Sequence, residues 1–259
     1  MGSSADKTLR NLYLVAGVRG AYEPRSSRIT ETVEVDLLHA LDHRWGITPP
    51  WGACDSGCDL ESPGDDALRG WAHVDLRVAD ADAPPVDAPV AGLLRTMWDS
   101  LELFGTVTLT GVDADVPLAC VGDRLWERVA GSVIRWDVDR SSDIPPRVLI
   151  QAATAYIKPG SLPERWDMGA IAEMLSEFVE VQDVMGAVPF ASYPPSFAAN
   201  PFGFGIETVH SSETDPFRAE VMLRAWTIDD AAWLVEAICA SCRSAGVADD
   251  IQVAVRMAG

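Results

Sequence analysis

Apolar and polar residues alternate with two different periods along this chain, and the switches between the periods mark out its elements. From Trp71 to Val78, Ala72, Val74, Leu76 and Val78 share one face while Trp71, His73, Asp75 and Arg77 share the other. A period of two is that of a half-buried β-strand. Phe217 to Trp226 repeats it, with Phe217, Ala219, Val221, Leu223 and Ala225 set against Arg218, Glu220, Met222, Arg224 and Trp226. Denser apolar runs at Leu12–Val18, Thr106–Thr110, Val133–Val138, Val148–Ile157 and Ile251–Met257 read as further strands. Leu37, Leu38, Leu41 and Trp45 recur instead at helical spacing, behind Thr30 as N-cap and acidic Glu31 and Glu34 in the first turn. Helices are also expected at Val90–Phe104 (with Pro89 in its tolerated opening position), Asp123–Val129, about Met168–Val184 and Asp229–Ala245. Trp51–Asp66 reads as irregular, Pro189–Pro201 as a Pro- and aromatic-rich loop, and Gly205–His210 as the hairpin partner of the strand that begins at Phe217.

The order of these elements occurs twice. Ala21-Tyr22-Glu23-Pro24 follows the first strand, and Ala155-Tyr156-Ile157-Lys158-Pro159 follows its counterpart. Each copy then has a helix, a Gly-apolar-Pro exit (Gly46 to Pro49, Gly186 to Pro189), an irregular segment, a strand, a second helix and a closing strand. The fold class expected is α+β: two tandem pseudo-symmetric ferredoxin-like units with mostly antiparallel sheets, forming a sandwich or barrel-like body. The units span 8–140, including the connecting segment, and 146–259, with the linker at Ser141 to Pro146. Val15 to Gly20 lacks the G-x-G-x-x-G pattern, so no dinucleotide-binding turn is expected.

Charge narrows the partners. The formal net charge is −19, which repels nucleic-acid backbones and anionic membranes and leaves neutral molecules or basic proteins. No apolar run is long enough to span a membrane, and the first ten residues are polar, so no secretory core is expected. Met1 to Ser4 reads as a leader outside the fold. Five cysteines, an odd number, argue against a disulfide framework and for a cytoplasmic protein.

The polar strand faces carry the candidate chemistry. If the two sheets turn them toward one another, His73, Asp75, Arg77, Glu220 and Arg224 line a chamber between the halves. His73 is then an acid/base group, Asp75 or Glu220 its partner, and Arg77 or Arg224 a clamp for a developing oxyanion. Trp51, Trp71, Tyr193 and Trp226 are the expected substrate contacts. The same alternation also suits an ordinary solvated face. The architecture resembles tandem ferredoxin-like and α+β-barrel proteins, which include cyclases, isomerases and monooxygenases, at the level of fold alone. The leading expectation is a cofactor-independent isomerase, cyclase or lyase acting by proton transfer on a small, mainly apolar molecule. The alternatives are an acidic immunity- or inhibitor-type protein that covers a basic partner, and a structural subunit of a homo-oligomer.

His39 and His43, four apart on a helix, and Cys54 and Cys58 in the following loop form a second constellation, which could hold Zn²⁺ tetrahedrally. The zinc-peptidase spacing is absent, and solvent-facing histidines beside free thiols explain the same residues. No other cofactor is expected. Cys239 and Cys242 fall deep inside a helix and read as small apolar core residues, as does Cys120.

Overall fold

The structure is a computed structural model and describes residues 12–25, 39, 43, 51–76, 90–118, 123–133, 145–154, 165–184, 217–248 and 250–258. Its elements run β1 (Leu12–Pro24), β2 (Trp51–Cys58), β3 (Leu68–Leu76), α1 (Val90–Phe104), β4 (Gly105–Val116), α2 (Asp123–Val133), β5 (Arg147–Thr154), α3 (Met168–Ser176), β6 (Glu180–Val184), β7 (Phe217–Met222), α4 (Ile228–Ser244) and β8 (Ile251–Met257). The strands form one sheet of eight in the order β2-β3-β1-β4-β8-β5-β7-β6, and each neighbouring pair is antiparallel. The fold is therefore α+β with a single antiparallel sheet.

This arrangement corrects the expectation of two sheets packed face to face. The halves meet edge to edge, where β4 pairs with β8 from Gly111 opposite Arg256 to Val116 opposite Ile251. One continuous ladder satisfies the backbone groups of both closing strands, which would otherwise be exposed edges.

Several boundaries also move. Trp51–Cys58, read as irregular, is an edge strand paired with β3; cross-strand pairing overrides the poor strand propensity of its Gly and Asp residues. β1 and β4 each extend beyond their dense apolar runs, and α2 continues to Val133, where a strand was expected to start. α3 ends at Ser176, and Glu180–Val184 leaves the helix to become edge strand β6. The expected strand residues 134–138, the loop 189–201 and the hairpin segment 205–210 lie outside the described residues.

Registers sort the side chains into two layers. Leu14, Ala16 and Val18 of β1 lie level with Val74, Ala72 and Gly70 of β3, and Val112 and Ala114 of β4 lie level with Val255 and Val253 of β8. These apolar residues, with Val148, Ile150, Ala219 and Val221, are fully buried and form one core with the helices. α1 packs on β1, β3 and β4, while α4 packs on β4 and β8 and against α1, α2 and α3.

α4 is therefore the centre of the helical layer, and its sequence shows why. From Ala231 to Cys242 every residue is buried, the condition of a helix surrounded on all sides. Thr227 caps it: its hydroxyl accepts from the Asp230 N–H at 3.2 Å and donates to the Asp230 carboxylate at 2.6 Å. Cys239 and Cys242 are buried thiols; burial pushes Cys239 well up and Cys242 to about 12. Both are core residues, as the sequence indicates.

Buried polar groups interrupt this helical core, and one of them links three helices. Glu236, 4% exposed, accepts from the Ala91 N–H at the start of α1 at 3.3 Å and from Arg128 of α2 at 2.9 and 3.2 Å. A single carboxylate thus joins α1, α2 and α4, and it occupies the end of α1 where the helix dipole favours negative charge. Glu236→Ala is expected to lower the unfolding free energy by about 1–3 kcal/mol, read as a shift of the urea midpoint.

Candidate functional site

The face of the sheet opposite the helices is polar, and its centre is buried. On β1 it presents Val15, Gly17 and Arg19; on β4, Gly111, Asp113 and Asp115; on β8, Gln252, Ala254 and Arg256. Arg19, Asp113 and Arg256 are 4%, 2% and 6% exposed. Arg19 Nε donates to Asp113 Oδ2 and Arg256 Nη2 to Asp113 Oδ1, both at 2.5 Å, so both carboxylate oxygens are bonded to guanidinium groups from different strands. Arg256 belongs to the second half and the other two to the first, so this triad spans the seam. Gly111 makes it possible: a Cβ there would stand 2.5 Å from Arg256 Cδ, blocking the path of the arginine across β4.

The two aspartates of β4 have opposite electrostatics. Burial acts to raise Asp113, but Arg256 and Arg19 outweigh it and hold the group below the ordinary carboxylate value. Burial and then the Asp113 charge push Asp115 up to about 7; the Gln252 hydrogen bond opposes the rise and Asp250 adds to it. Among the described residues Asp115 Oδ1 has no hydrogen-bond partner. One carboxyl is thus ionised and the next on the same face retains its proton close to neutrality.

The β2–β3 hairpin loop closes over one side of this face. Arg69, 3% exposed, donates to the carbonyls of Gly20, Asp59, Ser62 and Gly64 at 2.5–3.3 Å. Arg19 Nη1 reaches the Asp66 carbonyl at 3.0 Å, and Thr110 Oγ1 reaches the Asp66 carboxylate at 2.9 Å. Between this loop, Arg19 and Trp71 lies an open cleft of about 600 Å³.

The residues singled out from the sequence are divided among separate places. His73 and Asp75 stand together on β3, with Nε2 2.9 Å from Oδ1, and His73 lies in one cross-strand row with Val15, Asp115 and Gln252. Glu220 is on β7, five strand spacings or about 24 Å from β3, and pairs with Arg147. Arg224 is exposed beyond the end of β7. The expected chamber containing all of these is not formed, because a continuous sheet places β3 and β7 side by side at a distance instead of opposing them.

Trp71 and Cys58 line the cleft. Trp226 donates from Nε1 to the Leu109 carbonyl at 2.8 Å, anchoring the start of α4 to β4 across the seam. Arg77 and Tyr193 lie outside the described residues, as do the side chains of Trp51 and Cys54. His39 and His43 are exposed helical residues, and Cys58 is half-buried against the core. Among the described residues, no group of three or more His, Cys, Asp or Glu is placed to hold a metal ion, and no helix is long and apolar enough to cross a membrane.

Asp113 and Asp115 lie beyond Thr110, where the sequence pattern ends the β4 strand, and without them Arg19 on β1 and Arg256 on β8 have no partner visible in the pattern. The alternation Val112, Ala114, Val116 against Asp113, Asp115 was the available signal.

No family model matches the chain, and no curated protein sequence does either. Among solved structures, the chain is similar to 3-hydroxy-3-methylglutaryl-coenzyme A reductase of Streptococcus pneumoniae, at 12% identity and a TM-score of 0.27, covering 92% of this chain and 71% of that one. A second structure, of the class II 3-hydroxy-3-methylglutaryl-CoA reductase from the same organism bound to NADPH in open conformations, gives 12% identity, a TM-score of 0.25 and coverage of 92% and 63%. Likeness at this level carries no argument about fold or activity.

Asp115 makes stability depend on pH. Its folded value is raised above the ordinary 3.8 to about 7, so the folded protein binds the extra proton between these values. Its contribution is fully present below the lower value and is lost as pH rises through the higher one. Asp115→Asn is expected to flatten this segment of the profile and to be more stable than wild type above about pH 8, measured by urea unfolding across the range.

Proposed function

We propose that the chain is a tandem of two ferredoxin-like units and that it acts as an acidic binding protein, of immunity or inhibitor type, that captures a basic protein partner. Connectivity supports the first part: β2-β3-β1-β4 and β6-β7-β5-β8 have the same internal order, with α1 and α4 in corresponding connections.

The observation that carries the second part is the partition of charge. Arg19, Arg69 and Arg256 are buried. Arg95, Arg128 and Arg147 are paired with carboxylates, and Arg243 donates to the Leu118 carbonyl. Glu23, Glu61, Asp65, Glu102, Glu127, Glu173 and Glu177 meanwhile lie exposed. Most of the described arginines are thus matched by a carboxylate or a carbonyl within the protein, while these carboxylates face solvent and leave the surface to express the net charge of −19; such a field steers a basic partner into encounter.

The test is surface-plasmon association with a panel of cationic nucleases. At least one is expected to associate faster than about 10⁶ M⁻¹s⁻¹ at low salt, with a steep fall as salt is added. Uniformly weak or salt-insensitive binding across the panel would count against the reading.

A second reading, an isomerase-, cyclase- or lyase-type enzyme, is favoured by one observation. Asp115, at about 7, shares a sheet face with ionised Asp113 and with the His73–Asp75 pair, the kind of split ionisation that acid–base chemistry uses. His73 and Asp115 are then the proton-transfer groups and Trp71 a contact for a small, mainly apolar substrate. For any turnover found, Asp115→Asn and His73→Ala are expected each to lower kcat about 10²-fold or more; unchanged kcat in both removes the reading.

A further inference from the structure

The cleft between Trp71, Arg19 and the hairpin loop is built from parts that the capture of a basic protein does not use, and of which the enzyme reading uses Trp71 alone. Its floor is the Trp71 indole, laid across Gly57 so closely that a Cβ there would stand 2.7 Å from Nε1. The glycine lets the ring lie over the neighbouring strand, and the ring remains half-exposed. Pro63, Ala67 and Leu68 add apolar surface at the loop side.

Arg19 supplies the polar element. The residue is 4% exposed and its guanidinium is immobilised, with Nε on Asp113 and Nη1 on the Asp66 carbonyl. Nη2 donates to none of the described groups, so a held donor is left at a residue that lines the cleft. Asp113, paired with Arg19 and Arg256, and the Asp66 carboxylate, 3.9 Å from Arg256 Nε, together offset the two guanidinium charges, and the surrounding protein is strongly acidic, which disfavours a free anion. A neutral oxygen acceptor fits better: it takes a hydrogen bond from an oriented donor and adds no charge to the acidic field.

We propose that this cleft binds a flat, uncharged molecule that stacks on Trp71 and accepts a hydrogen bond from Arg19 through a carbonyl oxygen, as aromatic amides and lactams do. The volume of about 600 Å³ is within the range of small-molecule sites. Stacking contributes affinity, and the fixed guanidinium sets which edge of the ligand faces inward.

The experiment uses the whole chain and three probes of matched shape: benzamide, benzoate and benzylamine. Saturation-transfer NMR is expected to show benzamide binding in the millimolar range and ahead of the other two. Trp71→Leu is expected to weaken benzamide about tenfold, the loss of one aromatic stacking contact. Ala67→Phe fills the cleft from the loop and is expected to abolish binding; it carries the test if the tryptophan variant does not fold. Preference for benzylamine assigns the cleft to a cationic group, and preference for benzoate assigns it to an anion; either overturns the proposal. Benzamide binding unaffected by the variants, or no binding of any probe, overturns it as well. None of these outcomes bears on the capture of a basic protein, which is read from salt-dependent association alone.

Discussion

Asp113 is held between Arg19 and Arg256 at the middle of an eight-stranded sheet, where β4 of the first half meets β8 of the second. Placing three charges there carries a desolvation cost of several kcal/mol per ion, so the arrangement persists only because each carboxylate oxygen is bonded to its own guanidinium. Arg256 can reach across only over Gly111, and Arg19 continues outward to the Asp66 carbonyl. One buried aspartate therefore fixes the relation of the two halves, the course of a long arginine and the position of the hairpin loop. A hydrophobic seam could equal it in stability but would not dictate register, since apolar contacts tolerate sliding and a carboxylate bridging two guanidinium groups does not.

The same triad governs the electrostatics of its surroundings. Both cations at the seam are committed to Asp113, so Asp115, next on the same face, has Gln252 in place of a cation, with Asp113 and Asp250 nearby as like charges. Its proton is kept by burial and repulsion, while Asp113 loses its own to two arginines. Elsewhere the buried carboxylates Glu236 and Glu220 engage the exposed Arg128 and Arg147, and the loop carbonyls hold buried Arg69, so further cations are committed to partners within the protein. The acidic exterior follows from composition, with many of the described arginines already engaged.

The helical layer obeys a simpler rule. α4 is buried on every side because α1, α2 and α3 surround it above β4 and β8, and its small residues, Ala231, Ala232, Ala237, Ala240 and the two cysteines, permit close approach. Glu236 is tolerated in that environment because it closes the N-terminus of α1 and pairs with Arg128.

Local periodicity decided much of this structure from the sequence alone. The alternation at Ala72 and Val74, the apolar run of β8, the α1 stripe and the buried character of Cys239 and Cys242 depend on patterns within one element, where side-chain direction follows from backbone geometry. The acidic balance was equally plain. What the sequence left open was every relation between distant elements: that Trp51–Cys58 pairs as an edge strand, that Glu180–Val184 leaves its helix, and that the halves join edge to edge. Placing His73 and Glu220 in one chamber required sheet order, and sheet order is set by competition among long-range pairings that no local window contains. The Arg19–Asp113–Arg256 triad has the same origin: its members are 94 and 143 residues apart, and only the assembled β1-β4-β8 ladder brings them within hydrogen-bonding distance.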